Sequence, residues 1–468
     1  MTTVSAPDRL WRNTRYLTWL VSDTGKGLAS ALFGFAIPLL ALIVTNDPAQ
    51  AGIIGAAGMV ARLLTTLAGG ILADRHPRIL LMLIGSLLGV LLSAAFTVLA
   101  LADALTFTTL LVIDVLLAVR SGLFDVAGES ALKEIVPDDG MGRAQAANQG
   151  RDAALQLAGG PLGGLLLGVG GWLVGVVMTA CHLIAAVTAG MLRRRVRAEG
   201  IVDHGAEADG PETIGTPVSD ADNTPTQRVD PEGAADAIAP VVADASALSS
   251  APEPARTTAW AEFREGFAWL MSRPDLGGVL MIVTIINLGF NAAITTVVYS
   301  LQQAGHSEVL IGTLSASVGA VMLIGAIVSP LLIPRIGAGR LTILALSCAT
   351  AGAVTVSLLT DPWAIAAALG ASVVLLPSLN AALMGYFMVA TPSRLLGRAN
   401  SVAGVLGMGA LPLAPLIAGF GLTGIGREPT ILVCAALCLV SVILALGNRA
   451  LRALPTESGW AAHARQYE

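Results

Sequence analysis

The chain has 468 residues, of which 54% are hydrophobic and 13% charged, and its mean hydropathy is +0.75. Soluble domains carry about 25% charged residues, so this composition excludes a disordered chain, a secreted disulfide scaffold and a nucleic-acid binder with a basic surface. What remains is an all-α membrane protein, and twelve spans of about 20 residues would use about 240 of the positions available.

In chain order, apolar runs of spanning length fall at 17–43, 51–72, 79–101, 106–127, 144–169, 172–192, 276–301, 309–333, 341–359, 362–388, 399–422 and 430–448. They predict twelve transmembrane helices, because backbone in lipid must satisfy its own hydrogen bonds. Residues 1–16 are a short leading segment. No small-residue cleavage site follows the first run, so no cleavable signal peptide is expected. Spans 1–6 (17–192) and 7–12 (276–448) form two nearly equal sets of six. Between them, 193–275 holds a base-rich stretch (Arg193, Arg194, Arg195, Arg197), an acidic tether and an amphipathic segment. The tether, 198–258, carries 12 acids against Arg228 and Arg256 and cannot build a core. At 259–272, Trp260, Phe263, Phe267 and Leu270 recur at helical spacing, which predicts a helix lying in the membrane interface. Residues 449–468 form a tail.

Bases sort the connections. Arg427 is the only base in the odd-numbered loops; the termini and even-numbered loops hold 22. By the positive-inside rule, the N and C termini are cytoplasmic. The four cysteines (Cys181, Cys348, Cys434, Cys438) sit in apolar runs with no CxxC pair and read as packing residues.

Ionisable residues inside spans are expensive in lipid and mark function. Spans 1, 2 and 4 contain Asp23, Lys26, Arg62, Asp114, Arg120 and Asp125, whereas the second set of six has no charge away from its ends. Proton coupling, if present, must draw on the first half, which makes Asp23, Asp114 and Arg120 the candidates. Asp114 and Arg120 flank residue 117, where about 1.5 Å of rise per residue puts the midplane of span 4. Asp23 and Lys26 lie one turn apart and can pair. His182 reads as a packed, hydrogen-bonded histidine. In the second half, Asn287, Asn291 and Thr295 share one helical face, and Asn380, Tyr386 and Asn400 add neutral polar groups. These six are the candidates for lining a solute cavity, with helix-to-helix hydrogen bonding as the alternative. Pro38, Pro330, Pro377, Pro412 and Pro415 interrupt spans.

The turn between spans 2 and 3 reads Gly69-Gly70-Ile71-Leu72-Ala73-Asp74-Arg75-His76-Pro77-Arg78. It resembles the signature of the major facilitator superfamily, in which a Gly and then Asp-Arg-x-Gly-Arg join these two helices. The chain departs in Pro77, at the Gly position, and Ile79, where a further base is common. The resemblance implies the major facilitator fold, two six-helix bundles, and a conformational latch at Gly70, Asp74, Arg75 and Arg78, with Asp125 nearby. In span 5, Gly159-Gly160-Pro161-Leu162-Gly163-Gly164 resembles the exporter segment of that family, with one residue fewer between Pro161 and the Gly pair. A bend at Gly160, Pro161, Gly163 and Gly164 is expected. Leu123-Phe124-Asp125, Lys133-Glu134-Ile135-Val136-Pro137, Ala146-Ala147-Asn148 and Ala36-Ile37-Pro38-Leu39-Leu40 resemble the branch of enterobactin and macrolide exporters.

The resemblance implies a multi-pass protein of the cell membrane, a bacterial inner membrane, working as a monomer on protons and a small-molecule substrate. The function it implies is proton-coupled efflux of amphiphilic compounds such as drugs, antibiotics, siderophores or other secondary metabolites. No cofactor, metal site or nucleic-acid partner is expected; the proton gradient supplies the energy. An importer of a small nutrient shares the fold and stays open. A membrane-embedded enzyme would need a His/Asp cluster or a Ser–Lys dyad, and no GxxxxGK[ST] loop marks an ATP-driven pump.

Overall fold

The computed structural model describes residues 12–136, 138–208, 259–392 and 395–467. Most of the acidic tether and Arg394 lie outside them. Among the described residues, eleven helices are long and apolar enough to cross a membrane. The helix Phe107–Ile135, 29 residues long, takes the fourth place and completes two sets of six. Spans 1–6 are Thr14–Thr45, Pro48–Arg75, Arg78–Leu101, Phe107–Ile135, Asp138–Val169 and Gly171–Ala208. Spans 7–9 are Gly277–Gln303, Glu308–Leu332 and Ala338–Leu358. Span 10 is Pro362–Val373 plus Leu376–Ala390, span 11 is Leu396–Gly409 plus Leu413–Gly424, and span 12 is Arg427–Gly447. Large apolar side chains such as Leu64, Leu91, Ile327 and Ile443 stand on the outer surface. In water such a surface would aggregate; against acyl chains it is the expected exterior.

Caps set the ends. Asn13 accepts from the amides of Arg15 and Tyr16, Asp47 from Ala49, Ser307 from Leu310 and Asp361 from Ala364. Such side chains satisfy amides that have no partner within the helix. The prolines act differently from one another. Pro38, Pro161 and Pro330 lie inside continuous helices, so span 5 passes through Pro161 as one helix. Pro377 and Pro412 instead stand where spans 10 and 11 break in two, the place where a missing amide and a fixed φ cost least.

Packing within the halves is the same when six is added to each span number. Spans 1–6, 2–4, 3–6 and 1–5 touch, and so do 7–12, 8–10, 9–12 and 7–11. The main contacts between halves, 2–11 and 5–8, obey the same rule. Both depend on glycine. A Cβ on Gly312 of span 8 would overlap the carbonyl of Gly160 in span 5, and one on Gly164 would overlap that of Glu308. A Cβ on Gly52 would strike Pro415 O, and one on Gly419 would strike Pro48 O. These crossings lie at the odd-loop ends of the four helices, so the halves close on that face.

Outside the spans, Ala259–Ser272 is helical, as its amphipathic pattern predicts, and packs on the first segment of span 11 through Glu265 and Arg398, 2.5 Å apart. The tail is more structured than its sequence announces. Ala338 N donates to Pro455 O at 3.0 Å, and the helix Trp460–Ala464 seats Trp460 over Gly385.

Candidate functional site: a chamber between the halves and a charged vestibule

Where the halves meet, a cavity of about 760 Å³ is lined by spans 1, 5, 7, 8 and 10. Its wall is Gly, Ala, Leu, Ile, Val, Met and Pro, with Phe35 as its aromatic residue and Ser30, Gln156 and Ser315 as its polar ones. A second cavity of about 390 Å³ adjoins it and shares Ser30, Ala31 and Gln156. This vestibule is charged: Asp23, Lys26, Arg62, Asp125, Glu129, Arg151 and Asp152 line it. The residues of span 1 that line it, from Asp23 to Ala31, lie toward the even-loop side of those lining the chamber. An apolar room thus leads into a charged porch.

Five of these charges, Asp23, Lys26, Asp125, Arg151 and Asp152, join Arg120 and His182 in one chain of contacts across spans 6, 4, 1 and 5. His182 Nε2 accepts from the Arg120 guanidinium at 2.8 Å, while its Nδ1 donates to Met178 O at 2.9 Å. Since arginine has no acceptor, that geometry fixes the imidazole tautomer. Arg120 continues to Asp125 at 2.9 Å, and Lys26 stands 3.8 Å from Asp125 and 3.0 Å from Asp23. Arg151 then reaches Asp23 at 2.7 Å and Asp152 at 2.8 Å, with its guanidinium 5.7 Å from the Trp19 ring. Trp19 is held by donating to Gly128 O at 2.9 Å. Two glycines make room: a Cβ on Gly128 would lie 2.7 Å from both Asp23 Oδ1 and Lys26 Nζ, and one on Gly89 would overlap His182.

Asp23 and Arg120 therefore belong to this chain, with Asp125 between Arg120 and Lys26. Asp114 is elsewhere. It is buried against Gly58, and its Oδ2 has no hydrogen-bond partner. At the turn between spans 2 and 3, Arg78 bonds Ser130 O at 3.1 Å and Glu134 at 3.1 Å, both in span 4. Arg75 is exposed, a Cβ on Gly70 would meet nothing, and the side chain of Asp74 lies outside the described residues. The contacts of Arg78 and Asp125 thus stay within the first half; neither bridges to the second. In span 5, Gly160 and Gly164 meet span 8, and Gly163 faces Phe35.

None of the six polar candidates of the second half lines either cavity. Asn291 and Thr295 satisfy themselves one turn back, on Asn287 O and Asn291 O. Tyr386 serves a separate hub: its hydroxyl donates to Asp275 at 2.6 Å, and Arg273 grips the same carboxylate with two bonds of 2.9 Å. Asn380 and Asn400 are exposed, away from both walls. Sequence reasoning missed Arg151 and Gln156. Both lie in the 144–169 run, where a base and an amide seven or more residues inside a predicted span were the available signal.

Asp275 is the one member of that hub outside the spans whose titration bears on stability. Burial pushes its carboxyl up, but hydrogen bonds from Arg273 and Tyr386 and the guanidinium charge outweigh burial and hold it below the ordinary carboxylate value.

No curated protein matches the sequence. In fold the chain is similar to a bacterial homologue of the iron transporter ferroportin in an inward-facing state: TM-score 0.62 and 14% identity, over 95% of this chain and 99% of that one. It is also similar to the nucleoside transporter NupG, with TM-score 0.60 and 11% identity over 92% of this chain and 100% of that one. A bacterial metal transporter gives TM-score 0.59 and 11% identity over 93% and 98%. The family model of the Major Facilitator Superfamily matches residues 25–415. By that match, and by two packed sets of six helices around a central chamber, the chain belongs to the Major Facilitator Superfamily: it is a multi-pass membrane transporter and not an enzyme.

Proposed function

We propose that the protein exports amphiphilic small molecules by alternating access, driven by protons. The observation that carries this reading is the apolar chamber at the meeting of the two halves, opening into a charged vestibule. A greasy wall with three polar side chains suits a solute with an apolar body. It gives a nucleoside little to hydrogen-bond. Among the described residues, no group of three or more His, Cys, Asp or Glu side chains gathers to hold a metal ion. The cargoes named for the similar structures therefore find less support here than an amphiphile.

With the halves closed on the odd-loop face and the termini in the cytoplasm, the chamber is in its inward-open state. The glycine crossings 2–11 and 5–8 are the contacts that must part for it to open outward. Of the two candidate carboxylates, Asp23 is committed to Lys26 and Arg151. Asp114 can take up and release a proton without breaking an ion pair. Asp114 is therefore the proton carrier, and the chain from His182 to Asp152 keeps spans 1, 4, 5 and 6 together as the halves rock.

The test is dye transport in inside-out vesicles with an imposed proton gradient. Accumulation that a protonophore abolishes, and that Asp114→Asn loses while the protein still inserts, is the expected result. Uptake in the opposite orientation would make the protein an importer, and full activity of Asp114→Asn would remove that residue from the mechanism.

A further inference from the structure

We infer that the substrate is an amphiphile with an uncharged, hydrogen-bonding head, and that Gln156 and Ser30 read that head. This rests on the reading of the chamber as the transport site and narrows it. Of the three polar side chains in the chamber wall, Ser315 is spent on Ile311 O at 3.0 Å. Among the described residues, the side chains of Ser30 and Gln156 make no hydrogen bond. They are also the two polar residues that line both the chamber and the vestibule. The uncommitted donors and acceptors of an otherwise apolar room are thus gathered at one spot, on facing spans 1 and 5, where the room meets the porch.

Charge tells against an ionic head. Beyond this spot a head meets Lys26, Asp23, Arg151 and Asp152, and all four are already paired at 2.7 to 3.0 Å. Arg151 keeps one unpartnered nitrogen, Nη1, but its charge is already balanced: an anionic head drawn to it also meets the carboxylates of Asp23 and Asp152, and a cationic head meets Lys26 and Arg151. Among the described residues Arg62 and Glu129 have no ion-pair partner, but they stand on spans 2 and 4, which do not line the chamber. A hydroxyl or amide head needs neither. It bonds the amide of Gln156 and the hydroxyl of Ser30, while its body fills the space between Phe35, Leu157 and Leu314.

The experiment is a fluorescence titration of the full chain in lipid nanodiscs, corrected against empty discs, with four probes that share one body. They are butylpyrene, pyrenebutanol, pyrenebutyrate and a pyrenebutyl trimethylammonium salt. Wild type should bind pyrenebutanol about five- to tenfold more tightly than butylpyrene, the value of one or two neutral hydrogen bonds, and no charged probe should bind more tightly than the alcohol. The double variant Gln156→Leu/Ser30→Ala should bring the alcohol within about twofold of butylpyrene measured on the same variant. A charged probe that binds most tightly, or an alcohol preference that survives the double variant, overturns the proposal. Ala154→Trp, on the exposed chamber wall, separates the two levels. If it blocks all four probes while the alcohol preference persists in the double variant, only the head assignment fails. If it blocks none, the chamber reading fails too. Elution of each variant as wild type shows that it has folded.

Discussion

At the residue scale, the buried charges stay in place because small residues let them pair. Gly128 is the clearest case. A methyl there would press on both Asp23 and Lys26, and overpacking of this kind costs about 1–3 kcal/mol. Gly128→Ala should therefore lower the melting temperature in detergent and reduce transport together. An unchanged melting curve would show that the ion pair moves aside freely. Asp275 gives a pH-dependent test. Its folded carboxyl lies below the unfolded value of about 3.9, so its stabilisation is full above that pH and is lost as pH falls through the folded value. Asp275→Asn should lower the melting temperature at pH 7, and the gap to wild type should close below about pH 4. A gap that persists in acid would mean the carboxylate charge is not what the hub uses. These partnerships were only partly legible beforehand. The Asp23–Lys26 pair follows from spacing on one helix. The link from Arg120 to His182 joins residues 62 positions apart, and sequence alone cannot give the rotation of two helices about their axes.

At the element scale, hydropathy located the spans because lipid forces continuous helix, and it placed their ends to within a few residues except where polar residues prolong them. Spans 4, 5 and 6 run on at their even-loop ends, to Ile135, from Asp138 and to Ala208, since nothing in water stops a helix that carries charge. Proline does not act uniformly: Pro38 and Pro330 stay inside helices, while Pro377 and Pro412 mark breaks. The neutral face of Asn287, Asn291 and Thr295 is real, but periodicity alone does not say which neighbour a face meets. The glycines of span 5 make a close crossing with span 8 at Gly312. Gly312→Leu should wedge that crossing apart and cut transport at least tenfold at normal membrane levels, because a leucine side chain must displace backbone. Normal transport by that variant would mean that the odd-loop face need not close so tightly.

At the scale of the whole molecule, the two halves repeat one packing scheme, and the contacts between them obey the same six-span shift. Such a pair of bodies has two equivalent ways to meet, one at each face, around a shared cavity. The N-terminal half carries the charge buried within the spans and the C-terminal half contributes apolar wall, a division already visible in the sequence as spans 7–12 without interior charge. The direct test is a pair of spin-label distances in lipid, with labels replacing His76 and Arg335 on the even-loop face, and Asp103 and Asp361 on the odd-loop face, all four exposed. On adding a transported probe, the account predicts that the first distance shortens while the second lengthens. Two distances that stay fixed during transport, or that change in the same direction, would contradict it.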